Sequence, residues 1–116
     1  MAQVKIWHNS RCSKSQEALA FLKERNIEPE IIDYMKNGID VNELAKAISM
    51  SGLPLEEFIR TEERDFMLLG LEIEALTPQS FAEIAAKHPR LLQRPIIVTE
   101  EKAVIGRPTA KIADIL

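Results

Sequence analysis

With 116 residues, 46% hydrophobic and 28% charged, the chain has the composition of an average globular domain and is too short for two. Its net charge of −3 argues against a nucleic-acid binder, and its single cysteine excludes an internal disulfide framework. The N-terminus, MAQVKIWHN, lacks the apolar segment of a signal peptide, and no apolar run approaches the length that crosses a bilayer. A cytoplasmic, reducing location with no membrane partner is therefore expected, where a lone thiol stays reduced.

Val4 to Trp7 reads as a short buried strand interrupted by Lys5. Ser13 to Asn26 follows with a helical stripe of Ser15, Ala18, Leu19 and Leu22. Glu30 to Tyr34 reads as a second strand, entered through Pro29. Strand, helix and strand in this order predict a βαβ unit with parallel pairing and a right-handed crossover. From about Asp40 to His88 the pattern is helical. Asp40 with Glu43 resembles a capping box, Gly52 suits a helix C-terminus, and Pro54 suits the first turn of LPLEEFIR. Thr61 is a candidate cap for EERDFMLLG, while Thr77 with Pro78 opens a helix that Pro89 stops. Arg94 to Thr99 and Lys102 to Gly106 return to strand, joined by a short hairpin and so antiparallel. A last helix is expected from Thr109 to Leu116. Together these predict one α/β domain over residues 1–116, a mixed four-stranded sheet built as βαβ then ββα. That is a thioredoxin-like arrangement with a helical insertion at about residues 40–90.

The cysteine, Cys12, falls at the junction of the first strand and helix, inside His8-Asn-Ser-Arg-Cys-Ser-Lys-Ser15. Unpaired N–H groups and the dipole at a helix N-terminus favour an anion, which here is the thiolate. His8 or Arg11 could add positive charge, and the hydroxyls of Ser13 and Ser15 could donate to the thiolate or to a bound oxyanion. The same serines could equally serve as helix caps, and Cys12 could instead be an inert buried thiol. The spacing is C-x-x-S, so a resolving thiol would have to come from another molecule. Arg60, Arg94 and Arg107 each stand at an element boundary. A guanidinium presents a planar fork of donors matched to oxyanions, although each arginine taken alone reads as a solvated charge.

HNSRCSKS, Arg60, QRPIIV and IGRP together resemble the arsenate reductase family that works with glutathione and glutaredoxin, and the likeness runs over essentially the whole chain. The resemblance implies a thioredoxin-like fold and a Cys12 thiolate that attacks arsenate. It implies that His8 and Ser15 support that thiolate, and that Arg60, Arg94 and Arg107 bind the oxyanion. Pro95 matches a proline that is typically cis in such folds. Glutathione would be the co-substrate and glutaredoxin the partner, with no metal and no bound cofactor. Many members carry Gly-Thr-Ser-Arg after the cysteine, whereas this chain has Ser13-Lys14-Ser15-Gln16. Two other readings stand beside this one. One is a glutathione-dependent reductase of another oxyanion or of a mixed disulfide. The other is a non-enzymatic thiol-stress regulator that binds RNA polymerase, whose relative carries C-x-x-C where this chain has C-x-x-S.

Overall fold

The computed structural model describes residues 3–116. Strand β1, Lys5–His8, is followed by helix α1, Ser13–Glu24, and strand β2, Glu30–Asp33. Helices α2, Tyr34–Asn37, α3, Val41–Ser51, α4, Arg64–Leu68, and α5, Pro78–Lys87, fill the middle of the chain. Strands β3, Ile96–Val98, and β4, Ala103–Ile105, come last, before a 3₁₀ segment at Thr109–Ile115. The sheet order is β2-β1-β3-β4, with β1 and β2 parallel and both β1–β3 and β3–β4 antiparallel. This is the expected thioredoxin-like mixed sheet.

The strands bury both faces, and their alternation divides the core into two. Trp7, Ile96 and Ile105 point to one side, where they meet Leu44 and Ile48 of α3 and Phe81 and Ala85 of α5. Ile6, Ile97 and Val104 point to the other side, against Ala18 and Leu22 of α1 and Ile112 of the last segment. Each of these two sets of three lies at matching register across β1, β3 and β4. Burial on this scale gives roughly 1.5–3 kcal/mol for each large apolar side chain. Lys5 interrupts the apolar run of β1 because it is half exposed and bridges Glu43 at 3.0 Å and Glu30 at 3.7 Å.

Several local expectations are corrected. Tyr34 does not end β2 but opens α2, because the Asp33 carboxylate caps the turn by accepting from the Lys36 N–H. Asp40 caps α3 through the Glu43 N–H, but the Glu43 carboxylate turns to Lys5, so only half of the capping box forms. Gly52 ends α3 in the left-handed conformation at φ 68°. Pro54 lies outside the following turn, which is a 3₁₀ segment at Leu55–Phe58 rather than an α-helix. Thr61 caps nothing: α4 starts at Arg64 after Glu63. Thr77 does cap α5, with Ser80 as its reciprocal partner and Pro78 in the first turn. The last segment is 3₁₀ throughout rather than α-helical.

Candidate active site

Strand direction collects the candidate residues at one end of the sheet. The carboxyl ends of β1 and β2 deliver His8 and Asp33, which are register partners, and the chain continues to Cys12 and Tyr34. The antiparallel β3 begins at this end, just after Arg94, and β4 finishes here, just before Arg107. Both Arg94–Pro95 and Arg107–Pro108 are cis peptides, so Pro95 has the expected geometry and Pro108 shares it.

Arg60 comes from the insertion and needs a separate tether. An isolated bridge joins Ile59 to Leu92, with the Arg60 N–H donating to the Leu91 carbonyl and the Gln93 N–H donating to the Phe58 carbonyl, both at 2.8 Å. This pins Arg60 beside the segment that leads into Arg94. The Arg60 guanidinium is held by Glu63 at 2.8 Å and Glu62 at 3.4 Å, and it donates to the Arg90 carbonyl at 3.3 Å.

Cys12 is the N-cap residue of α1 and is 8% exposed. Burial pushes its thiol pKa up, but the backbone N–H groups of Ser15 and Lys14, followed by Arg94 and Arg107, outweigh it and leave the pKa below its ordinary value. The Arg107 Nη2 donates toward Cys12 Sγ at 3.8 Å, while its Nε donates to the Arg94 carbonyl at 2.7 Å. Two distant arginines thus act on the thiol, although Arg11 is its neighbour in sequence. Ser15 acts through its backbone N–H. Its buried hydroxyl is turned the other way and accepts from the Asn9 N–H at 3.3 Å, bracing the loop. Ser13 is exposed.

His8 is buried, and that burial lowers its pKa despite the opposing charge of Asp33. Burial thus favours the neutral imidazole, and its Nδ1 has no hydrogen-bond partner among the described residues. Gln16, where many relatives carry arginine, is exposed and donates from Nε2 to the Ser10 carbonyl at 2.6 Å, so it ties the loop to α1. His88 is the C-cap residue of α5 and lies 3.7 Å from Asp65.

Tyr34 is the residue that sequence reasoning missed. It is 1% exposed, its ring lies 6.3 Å from that of Trp7, and it sits within electrostatic range of Arg94, Cys12 and Arg60. Burial is the main cause that pushes its pKa up to about 12, so it remains a neutral phenol. The available signal was position: an aromatic with a polar tip directly after the parallel partner of the His8 strand. Beside this cluster a cavity of about 720 Å³ opens, lined by Arg60 and Arg94 together with Asn9, Ser10 and Arg11. Among the described residues no group of His, Cys, Asp or Glu is arranged to hold a metal ion, and no helix is long and apolar enough to cross a membrane.

Comparison with known proteins places this geometry. The sequence model of the ArsC family matches residues 7–115. The chain is 37% identical to an arsenate reductase of Neisseria meningitidis, with the whole of both chains covered. It is 36% identical to the uncharacterized protein YfgD of Escherichia coli, over 98% of this chain and 97% of that one. Among solved structures it superposes on an arsenate reductase from Vibrio cholerae with a TM-score of 0.89 and 35% identity, covering 98% of each chain.

Proposed function

This chain belongs to the ArsC family, and on that premise we propose that it is a thiol-dependent arsenate reductase in which Cys12 is the nucleophile. The observation that carries the reading is the pairing of one thiol, held toward its thiolate at a helix N-terminus, with two arginines from the opposite end of the chain. Arsenate is largely a dianion at neutral pH. A thiolate can approach it only where cations offset the repulsion, and Arg94 and Arg107 supply them. The buried Nε of Arg94 has no hydrogen-bond partner among the described residues, which suits a donor reserved for an oxyanion, whereas the Arg60 Nε lies 3.4 Å from the Glu62 carboxylate.

In this reading the Cys12 thiolate displaces an oxygen of arsenate, which leaves as water, and an arsenic–sulfur bond forms. Glutathione then provides the second thiol. The electron pair of the arsenic–sulfur bond passes to arsenic, arsenite leaves, and a Cys12–glutathione disulfide remains. Glutaredoxin resolves that disulfide with a further glutathione. In balance, one arsenate and two glutathiones give arsenite, oxidised glutathione and water. C-x-x-S requires this external supply, because the chain holds no other cysteine. The Ser15 N–H helps hold the charge of the thiolate, and His8, four residues before Cys12, is the candidate base for the thiol proton.

The test is arsenate-dependent NADPH oxidation in the presence of glutathione, glutaredoxin and glutathione reductase. Wild type is expected to turn over, whereas Cys12→Ser is expected to be inactive. No arsenate-dependent oxidation by wild type would overturn the substrate. Reduction of a glutathione mixed disulfide instead would reassign the substrate and keep Cys12. Inhibition of RNA polymerase without turnover of either would favour the regulator.

A further inference from the structure

The cavity that Arg94 shares with the Cys12 site is larger and more positive than a tetrahedral oxyanion requires. It offers about 720 Å³, whereas one water takes roughly 30 Å³ and a small oxyanion only a few times that. Its wall carries Arg11, Lys36, Arg60, Arg90 and Arg94 against the carboxylates Asp33 and Glu63, in a protein whose net charge is −3. Glu63 is committed to Arg60, and Asp33 caps α2. Arg11, Lys36 and Arg90 have no carboxylate within ion-pair distance among the described residues. All three are exposed, and they stand on three separate elements: the loop before α1, helix α2 and the 3₁₀ turn at Pro89–Leu91.

Chance surface charge in an acidic protein does not predict unpaired cations from three elements around one mouth. Arg94 joins this mouth to the chemistry, because it both lines the cavity and acts on the Cys12 thiol. A ligand that fits must reach Cys12 at one end and present separated negative charges at the other. A peptide thiol with free carboxylates, of which glutathione is the type, has that form. Met35 lines the same wall and is exposed, offering apolar contact to the body of such a peptide.

We propose that the cavity bounded by Arg11, Lys36 and Arg90 is the subsite for the carboxylates of an acidic peptide thiol, holding its sulfur in line with Cys12. This rests on the assignment of Cys12 as a thiol nucleophile that needs an external partner, and it extends that assignment by naming what selects the partner. The step it serves is attack of the peptide thiolate on Cys12 Sγ, which forms a Cys12–peptide disulfide. On the arsenic–sulfur adduct the bond from Sγ to arsenic breaks and its electron pair leaves with arsenite; on a mixed disulfide of Cys12 the departing thiolate takes that pair.

The experiment uses the full chain with Cys12 converted to its mixed disulfide with thionitrobenzoate, so no arsenate is involved. Release of coloured thionitrobenzoate is followed with glutathione and, separately, with 2-mercaptoethanol, which carries no carboxylate. The ratio of the two rate constants cancels the reactivity of the disulfide itself. Wild type is expected to prefer glutathione, beyond the ratio of the same thiols with free cystine, and added salt should erode that preference. Lys36→Glu with Arg90→Glu is expected to lower the ratio about tenfold, since two attractions to the peptide carboxylates become repulsions. Lys23→Glu with Lys111→Glu makes the same change in net charge on other faces and should leave the ratio at its wild-type value. An unchanged ratio in the Lys36/Arg90 variant, or an equal fall in the control pair, would overturn the subsite. Failure of arsenate turnover would leave this result standing, and the reverse is also true.

Discussion

Arg107 and Cys12 are 95 positions apart in the chain, yet Nη2 of one donates toward Sγ of the other at 3.8 Å. The contact holds its direction because the Arg107 Nε is anchored on the Arg94 carbonyl at 2.7 Å, which orients the guanidinium plane. Two arginines are thereby locked together at the mouth of one thiol. Replacing Arg107 with Ala removes a cation from the thiolate and the brace from Arg94. The rate of Cys12 alkylation, followed against pH, is expected to shift to higher pH. Arsenate turnover should fall on the order of 10²-fold, the usual effect of deleting one donor to a developing oxyanion. Coincident alkylation profiles for Arg107→Ala and wild type would show that the contact does not act on the thiol.

The pH dependence of stability should carry the signature of His8. Burial, only partly opposed by Asp33, lowers its folded pKa below 6.5. As pH falls through 6.5 the unfolded chain takes up a proton that the folded chain resists, so the unfolded state binds more protons. Stability must then decrease with falling pH until the folded pKa is reached, and level off below it. Urea unfolding at about pH 7.5 and about pH 5.5 should show this loss in wild type and a smaller one in His8→Gln. An equal loss in both proteins would assign the acid sensitivity to other groups.

The local part of this site was legible in the sequence, and the assembled part was not. Alternation in β1 and helical spacing in α1 are properties of a few neighbouring residues, so the placement of Cys12 at their junction followed from pattern alone. The convergence of Arg60 with Arg94 depends on the Ile59–Leu92 bridge, a backbone contact between segments of no regular period. Whether His8 could add positive charge was not legible either, because burial, which lowers its pKa, is not a local property of the sequence. Ser15 was expected on the first turn of the helix and lies there, but whether its N–H or its hydroxyl meets the sulfur depends on where Asn9 lies. Tyr34 escaped for a related reason. A residue after a strand can continue it or turn away, and the Asp33 cap decides that at one position.

The protein has a single tyrosine, so the state of Tyr34 can be read directly from phenolate absorbance. Its pKa is pushed up to about 12, chiefly by burial. In the folded protein no phenolate should appear as pH passes 10. The unfolded chain ionises there, so stability should fall as pH rises from 10 toward about 12, and phenolate should appear together with loss of near-ultraviolet dichroism. Tyr34→Phe should abolish the signal and retain packing against Trp7. A phenolate titration centred near 10 with the fold intact would mean that the hydroxyl is open to solvent.

Gly106 sets the position of Arg107, and its lack of a side chain is a spatial requirement. A Cβ there would meet Pro95 Cγ and Ile97 Cδ1 at 3.1 Å each, and Ile112 Cδ1 at 3.4 Å. Carbon atoms pack best at about 3.5–4.0 Å, and Ile97 and Ile112 are fully buried, so they have little room to withdraw. Its N–H also donates to the Pro95 carbonyl at 3.0 Å, fastening the end of β4 to the start of β3. Gly106→Ala therefore presses on Pro95 and Ile97 at the level of Arg94 and Arg107, and these neighbours must give by a few tenths of an ångström. Chemical unfolding is expected to show a loss of about 1–3 kcal/mol, the range for overpacking a close-fitted site. The Cys12 alkylation profile should move in the same direction as in Arg107→Ala, by a smaller amount. A variant as stable as wild type, with the thiol unaltered, would show that the β3–β4 end can widen without carrying the arginine away from the sulfur.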